Sequence, residues 1–350
     1  MLALAERWQR RFGLIYDPRS KAERGDQLTQ GSPFPPLRKA SQPAYAQRAL
    51  AAEAFGSVVD ECLAQITRNA IGLIEGDPTL RVEHVHQLRV GVRRIRSAVR
   101  SFRGWVPAPP AELVEGLRLL FATLGLARDR DVLDDGVVAE LAKFGAPPLA
   151  LPGAAAGPDP VAVVASTDAQ RIFVAWIAWR AKLDEARREE FSAVADKPET
   201  DVAVAPAAGE AVARGAPRND APTFRRNVRR RLRRWHRRLI ADWQSFDELD
   251  EGSLHALRKR TKRLRYAVEF FAPLLKRRIT ERYLNALTAF QDRMGELNDL
   301  FVARARYQSL VASDPAAWFA LGWLAARIAD VRALAKPELG RLAKVDPPTS

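Results

Sequence analysis

His86-Gln-Leu-Arg89-Val-Gly-Val-Arg93-Arg94-Ile-Arg96-Ser-Ala-Val-Arg100-Ser-Phe102 is answered, at an offset of 169, by His255-Ala-Leu-Arg258-Lys-Arg-Thr-Lys262-Arg263-Leu-Arg265-Tyr-Ala-Val-Glu269-Phe-Phe271. Eight of the seventeen aligned positions are identical: His86/His255, Leu88/Leu257, Arg89/Arg258, Arg94/Arg263, Arg96/Arg265, Ala98/Ala267, Val99/Val268 and Phe102/Phe271. At 100° per residue, His86, Arg89, Arg93, Arg96, Arg100 and Arg103 fall on one helical stripe. Leu88, Val92, Ile95, Val99 and Phe102 fall on a neighbouring stripe, the face that packs into a core. In the second copy His255, Arg258, Lys262 and Arg265 make the basic stripe, and Leu257, Leu264, Val268 and Phe271 the apolar one. Successive cations climb about one turn, roughly 5.4 Å, a spacing suited to a linear polyanion. A single basic stripe is usually a solvated helix face. Recurrence of histidine and arginine in one register is not what a solvated face requires, and it points to one duplicated unit with a site built from both copies.

Composition bounds the partner. The 350 residues are 47% hydrophobic, enough for a real core, and carry a formal net charge of +14. That balance predicts a polyanion: nucleic acid, an anionic membrane or polyphosphate. Arginine outnumbers lysine in the basic runs, and its planar fork grips phosphate oxygens in pairs. The lone cysteine, Cys62, allows no internal disulfide, fits a reducing compartment and sits in an apolar helical stretch as a core residue. With one cysteine and four histidines (His84, His86, His236, His255), no metal site and no cofactor are expected. No run of 18 apolar residues marks a transmembrane helix, and Met1 to Ser20 is too interrupted by charge to be a signal peptide.

Along the chain, residues 1–43 are mixed and end in Ser32-Pro-Phe-Pro-Pro36, the pattern of a loosely ordered extension. Tyr45 to Glu75 reads as a helix stopped by Gly76-Asp-Pro78. After the first His-Arg helix comes one over about Ala111 to Leu124, broken and restarted at Leu124-Gly125-Leu-Ala-Arg128-Asp129-Arg-Asp131-Val132, then a further helix to about Phe144. Residues 145–222 form a Pro/Ala/Gly-rich insertion with one helix, Arg171 to Ala195; Lys197 to Pro222 looks like a flexible linker. The second unit, 223–335, opens at Thr223 with a helix that holds nine arginines in the fourteen residues Arg225 to Arg238. A helix from about Thr280 leads to Met294-Gly295-Glu-Leu-Asn298-Asp299, which echoes Gly125 and Asp129. Helices over Ala303 to Val311 and Pro315 to Ala335 follow, and 336–350 is a tail from which Pro337 excludes the last helix. No alternating strand pattern appears. The expected fold is all-α: two repeated four-helix bundles (44–144 and 223–335) with internal pseudo-twofold symmetry around a basic central groove or pore.

These residues resemble the CHAD domain (conserved histidine α-helical domain). Its pattern His-x2-Arg-x3-[Arg/Lys]-Arg-x-Arg stands here as His86 to Arg96 and His255 to Arg265, with Leu264-Arg265-Tyr266-x2-Glu269-x-Phe271 as a variant ending. The companion Leu-Gly-x2-Arg/Asn-Asp turn is Leu124 to Asp129, and Met294 to Asp299 with methionine replacing leucine. The likeness spans roughly residues 44–335. It implies paired helical bundles around a basic channel that binds inorganic polyphosphate, and a cytoplasmic location at polyphosphate granules. The ligands it implies are His86, Arg89, Arg93 and Arg96, then His255, Arg258, Lys262 and Arg265. Arg94 and Arg263 match the motif off the main stripe, and Arg100 extends the stripe. Glu269, Asp129 and Asp299 are expected to orient basic neighbours or cap helices.

The expected function is non-catalytic binding. No P-loop, nucleophile elbow, paired-carboxylate metal site or Glu-x-Glu-x-Lys tunnel signature is present. Affinity should rest on charge pairing and counterion release. A neutral histidine beside the arginines should donate one N–H bond and gain a proton from bound phosphate, giving tighter binding at mildly acid pH. The alternative is weak, nonspecific nucleic-acid binding through Arg225 to Arg238, although aromatics there are sparse.

Overall fold

The computed structural model describes residues 2–31, 34–132, 137–147, 157–195 and 221–349. Among these there are twelve α-helices and no strand beyond a single backbone bridge between Arg103 and Val106. In chain order they are α1 (Leu2–Phe12), α2 (Lys21–Thr29), α3 (Ala51–Glu75), α4 (Arg81–Ser101), α5 (Ala111–Val132), α6 (Ala139–Lys143), α7 (Pro160–Ala165), α8 (Thr167–Ala195), α9 (Ala221–Ile240), α10 (Glu251–Phe271), α11 (Arg277–Leu310) and α12 (Ala317–Ala343). None is long and apolar enough to cross a membrane.

Local chemistry sets the ends of the helices that matter. The Leu50 N–H ahead of α3 donates to Glu53 Oε2 at 3.0 Å, satisfying one of the orphan donors of the first turn. The helix stops at Gly76, and Asp77 then accepts from the Thr79 N–H at 2.8 Å to start the turn into α4. α10 is capped by Asp250, which accepts from the Ser253 N–H at 2.7 Å. α4 lies along α3 with Leu88, Val92, Ile95 and Phe102 fully buried, the apolar stripe read from spacing. Gly91 permits that closeness, since a Cβ there would stand 2.7 Å from Ile66 Cγ1. Cys62 is buried in the same layer, where burial pushes its thiol up to about 12, so it is core rather than nucleophile.

α3, α4, α5 and α8 pack on one another, as do α9, α10, α11 and α12, and α4 meets α10 where the two groups join. Aromatic rings fill the junction. Phe102 and Phe271, at equivalent positions of the repeat, have ring centroids 4.9 Å apart, with Phe55, Trp105 and Phe224 around them. Each fully buried ring contributes up to about 3 kcal/mol in lost water contact.

Several helices depart from expectation. α5 runs unbroken through Leu124–Val132, and α11 is one helix from Arg277 to Leu310 where a break near Gly295 and a restart at Ala303 were expected. One glycine costs about 1 kcal/mol, too little to end α11, where Met294 and Leu297 on either side of Gly295 are buried. α12 continues through Pro337 to Ala343, because Leu339 and Leu342 beyond it are buried and hold the last turns. α8, from the stretch that composition marks as an insertion, is instead part of the first group: Trp176 is buried and its Nε1–H donates to Leu113 O at 3.0 Å. The residues between α8 and α9, expected as a linker, lie outside the described residues up to position 220. Within the first 43 residues, where composition suggests a loose extension, α1 packs on α8 and Tyr16 N–H donates to Gln170 Oε1 at 2.8 Å. Arg19 there binds Asp17 and Glu75 at 2.8 and 2.6 Å.

Candidate functional site

On α4 the basic stripe gathers over one aromatic ring. The guanidinium carbons of Arg89, Arg93 and Arg96 stand 4.4, 5.5 and 6.0 Å from the centroid of Phe121 on α5. Arg89 is the most buried of the three, and its Nη1 donates to Phe121 O at 3.5 Å. A ring face attracts cations through its quadrupole, so Phe121 gathers the three forks without itself adding a negative charge. Burial lowers Arg96 from its ordinary value, helped by nearby Arg100 and Arg118. It still stays charged at any physiological pH. Half-buried His86 precedes Arg89 on the same helix.

Gly125 explains the companion motif. A Cβ on it would stand 2.5 Å from Arg89 Nη1. Its role is therefore to let the Arg89 guanidinium cross α5, not to turn the chain. Gly295, its echo in α11, has nothing within 4 Å and no such duty. Gly125→Ala should displace the Arg89 fork while leaving the helix intact. The expected result is a several-fold weaker hold on a polyanion with thermal stability unchanged or slightly raised; unchanged affinity would show that Arg89 needs no such passage.

On α10 the second stripe faces the first. Lys262 is held down to about 7 by burial and then by Arg93 and Arg258, with Arg265 adding to the effect and Asp299 opposing it. Burial also lowers Arg258, which feels Asp299 and Arg93. Arg93 of the first copy and Lys262 of the second, equivalent positions of the repeat, thus share one cluster in which cations outnumber the single carboxylate of Asp299. At the exposed start of α10, His255 Nδ1 lies 2.9 Å from Asn298 Oδ1 on α11. Oδ1 only accepts, so Nδ1 carries the hydrogen and the neutral ring has no second N–H to offer. With its one N–H on Asn298, a neutral His255 would donate to an anion only after gaining a second proton. Beside it a cavity of about 460 Å³ opens between α10 and α11, with Leu254, Met294 and Phe301 on its walls and His255 and Arg258 among its lining residues.

The remaining motif arginines are placed unequally. Arg94 is turned into the protein at 2% exposure, with Nη1 donating to Gln65 Oε1 at 3.1 Å and Nη2 to Ser41 O at 2.7 Å. Expected among the phosphate ligands, it is instead taken up by acceptors of the chain itself. Arg263, its counterpart, is half-buried beside Arg100 and Arg260, which together with burial lower it from its ordinary value. Their electrostatic surroundings differ as well. Arg94 faces Glu269, whereas Arg263 faces Arg100, which occupies the place of Glu269 in the first copy. Glu269 also accepts from Arg265 Nη1 at 2.5 Å, and Gln291 Oε1 accepts from Arg265 Nε at 2.8 Å, so that arginine is held in place by the chain. Burial raises Glu269 above the ordinary carboxylate range, against the pull of Arg265 and Arg94. The side chain of Asp129 lies outside the described residues.

Spacing thus finds the cations but not Phe121 or Asn298 as their supports. The one sequence signal for Phe121 is that it sits four residues before Gly125, on the same face of α5. The CHAD domain family model matches residues 57–308. The crystal structure of the CHAD domain from the plant Ricinus communis is similar at 31% sequence identity with a TM-score of 0.54, covering 87% of this chain and 96% of that one. Among curated proteins there is no match. The match over most of the chain, together with the paired His-Arg helices at its centre, places this protein in the CHAD domain family.

Proposed function

We propose that this protein binds inorganic polyphosphate, without catalysis, in a basic groove between α4 and α10, within a domain that runs from about residue 44 to the end of α12 at Ala343. The observation that carries this is the cluster of Arg93, Arg258 and Lys262, drawn from both copies of the repeat, with the Phe121-stacked arginines beside it. Burial of several like charges is costly without an anion to offset it. A row of such charges along two facing helices fits a row of phosphates better than one small ion.

The halves are related by a pseudo-twofold axis through this groove. Support comes from equivalent residues meeting each other, Phe102 with Phe271 by contact and Arg93 with Lys262 electrostatically, since a residue meets its own equivalent only near a twofold axis. The ligands are His86, Arg89, Arg93, Arg96, Arg100, His255, Arg258, Lys262 and Arg263, with Arg265 contributing through its oriented fork. Arg94 braces α3 from within. Such a protein would sit in the cytoplasm on polyphosphate granules, as a targeting or organising module.

A competition titration tests this, using the fluorescence of the protein's tryptophans at physiological salt. Long-chain polyphosphate should outcompete triphosphate and duplex DNA, and log affinity should fall with log salt by about 0.7 for each phosphate neutralised. Arg89→Ala/Arg258→Ala should lose the preference. Equal binding of DNA, untouched by that variant, would sink the proposal.

A further inference from the structure

α9 bears the largest concentration of charge in the chain, and the groove does not use it. Nine of its residues between Arg225 and Arg238 are arginines, and the helix contains no acidic residue. Phe224, Val228, Leu232, His236 and Leu239 are buried, so one side is fixed to the core. Arg226, Arg230, Arg234 and Arg237 are exposed, at i, i+4, i+8 and i+11, a stripe about 17 Å long away from that side. Among the described residues no ion pair to these four is found. Repulsion is felt within the helix: burial lowers Arg229 and the neighbouring charges of Arg225 and Arg233 lower it further. A face like this works against folding, so stability alone gives it no reason to exist.

The helix that carries this face is also joined to the groove. Lys262 feels Arg93, Arg96 feels both Arg93 and Arg100, and Arg263 feels Arg100 and Arg260. Arg260, paired with Asp242, donates to Arg238 O at the end of α9. From the other side, Arg231 of α9 grips the end of α4, donating to Ser101 O and Arg103 O at 2.5 and 3.0 Å and stacking 3.5 Å over Trp105. Arg100, Arg263 and Arg260 therefore lead from the groove to the end of α9 at Arg238.

We propose that the outer face of α9 is a second phosphate-binding surface that engages only chains longer than the groove, so that the protein prefers long polyphosphate. This rests on the groove itself binding polyphosphate. The groove stripe from His86 to Arg100 is about 21 Å long, and a chain that outruns it meets α9 next. Each α9 arginine adds phosphate contacts and counterion release without any sequence or end-group requirement.

The test is Arg226→Gln/Arg230→Gln/Arg234→Gln/Arg237→Gln, which keeps helix propensity and removes four exposed charges. The expected result is at least tenfold weaker binding of long-chain polyphosphate, a salt slope shallower by about 3, and affinity within twofold for an oligomer no longer than the groove. Without ligand, the melting temperature should stay equal or rise as repulsion is relieved. Unchanged long-chain affinity would mean a solvated face and overturn the proposal, as would equal losses for short and long chains. Loss of duplex DNA binding alone would make α9 a nucleic-acid surface, also overturning it. Arg93→Ala/Lys262→Ala, run in parallel, reports on the groove: loss of short-chain binding there, with no chain-length effect in the α9 variant, separates failure of this proposal from failure of the groove assignment.

Discussion

Arg93→Ala/Lys262→Ala is expected to weaken polyphosphate binding by a hundredfold or more. The two cations belong to one cluster, drawn from both copies of the repeat at equivalent positions. A hydrogen bond to a charged group contributes about 1.5–3 kcal/mol, so losing two removes at least about 3 kcal/mol, and each 1.4 kcal/mol is tenfold. The fold should survive, because relief of like-charge crowding offsets the lost side-chain packing. An affinity drop below tenfold would place the phosphates elsewhere.

The same lysine makes binding pH-dependent with a defined sign. In the free protein Lys262 loses its proton at about 7, far below its ordinary 10.5. Bound phosphate favours the ammonium form and raises that value. Below pH 7 the charge is already present. Above it, binding must take up a proton, so affinity falls as pH climbs, by up to about tenfold per unit. Lys262→Arg, always charged, should lose this slope between pH 7 and 9. Without ligand the linkage runs the other way. The unfolded chain holds the proton more tightly than the folded one, so stability rises as pH goes from 7 towards 10.5. Identical profiles for wild type and Lys262→Arg would remove Lys262 from the site.

Phe102→Ala should be the most damaging single change to the fold. Phe102 is fully buried and meets Phe55, Trp105, Phe224 and Phe271 at centroid distances of 4.9–6.3 Å. Truncating a buried phenylalanine costs about 3–5 kcal/mol, and aromatic pairs add about 0.5–1.5 kcal/mol beyond area. Because the ring bridges the two helix groups, the loss should appear as a lower urea midpoint and weaker polyphosphate binding together. A shift under about 1 kcal/mol would show that the junction is held elsewhere.

Much of this protein is legible from its order of residues. The 3.6-residue period marks α4 and α10 with their buried and basic faces, since both follow from spacing alone. The same spacing identifies Cys62 as core and the pair of His-Arg stripes as one candidate site. Local punctuation was less reliable. Gly125, Gly295 and Pro337 all look like helix breakers, yet all lie inside helices; at Gly295 and Pro337 buried neighbours on either side outweigh a penalty of one to a few kcal/mol. Composition likewise hides α8, whose Trp176 is core.

What the residue order determined by itself is the all-α class, the duplicated basic helices and the sign and scale of the charge, because these depend only on residue type and period. What only the tertiary structure decided is the use made of each charge. Arg94 and Arg263 hold the same motif position, yet one is bound by Gln65 and Ser41 while the other stands against Arg100. Phe121 becomes a platform and Gly125 a passage for Arg89 only when α5 lies across α4. A charge's environment is set by neighbours distant in sequence, and no periodicity encodes them.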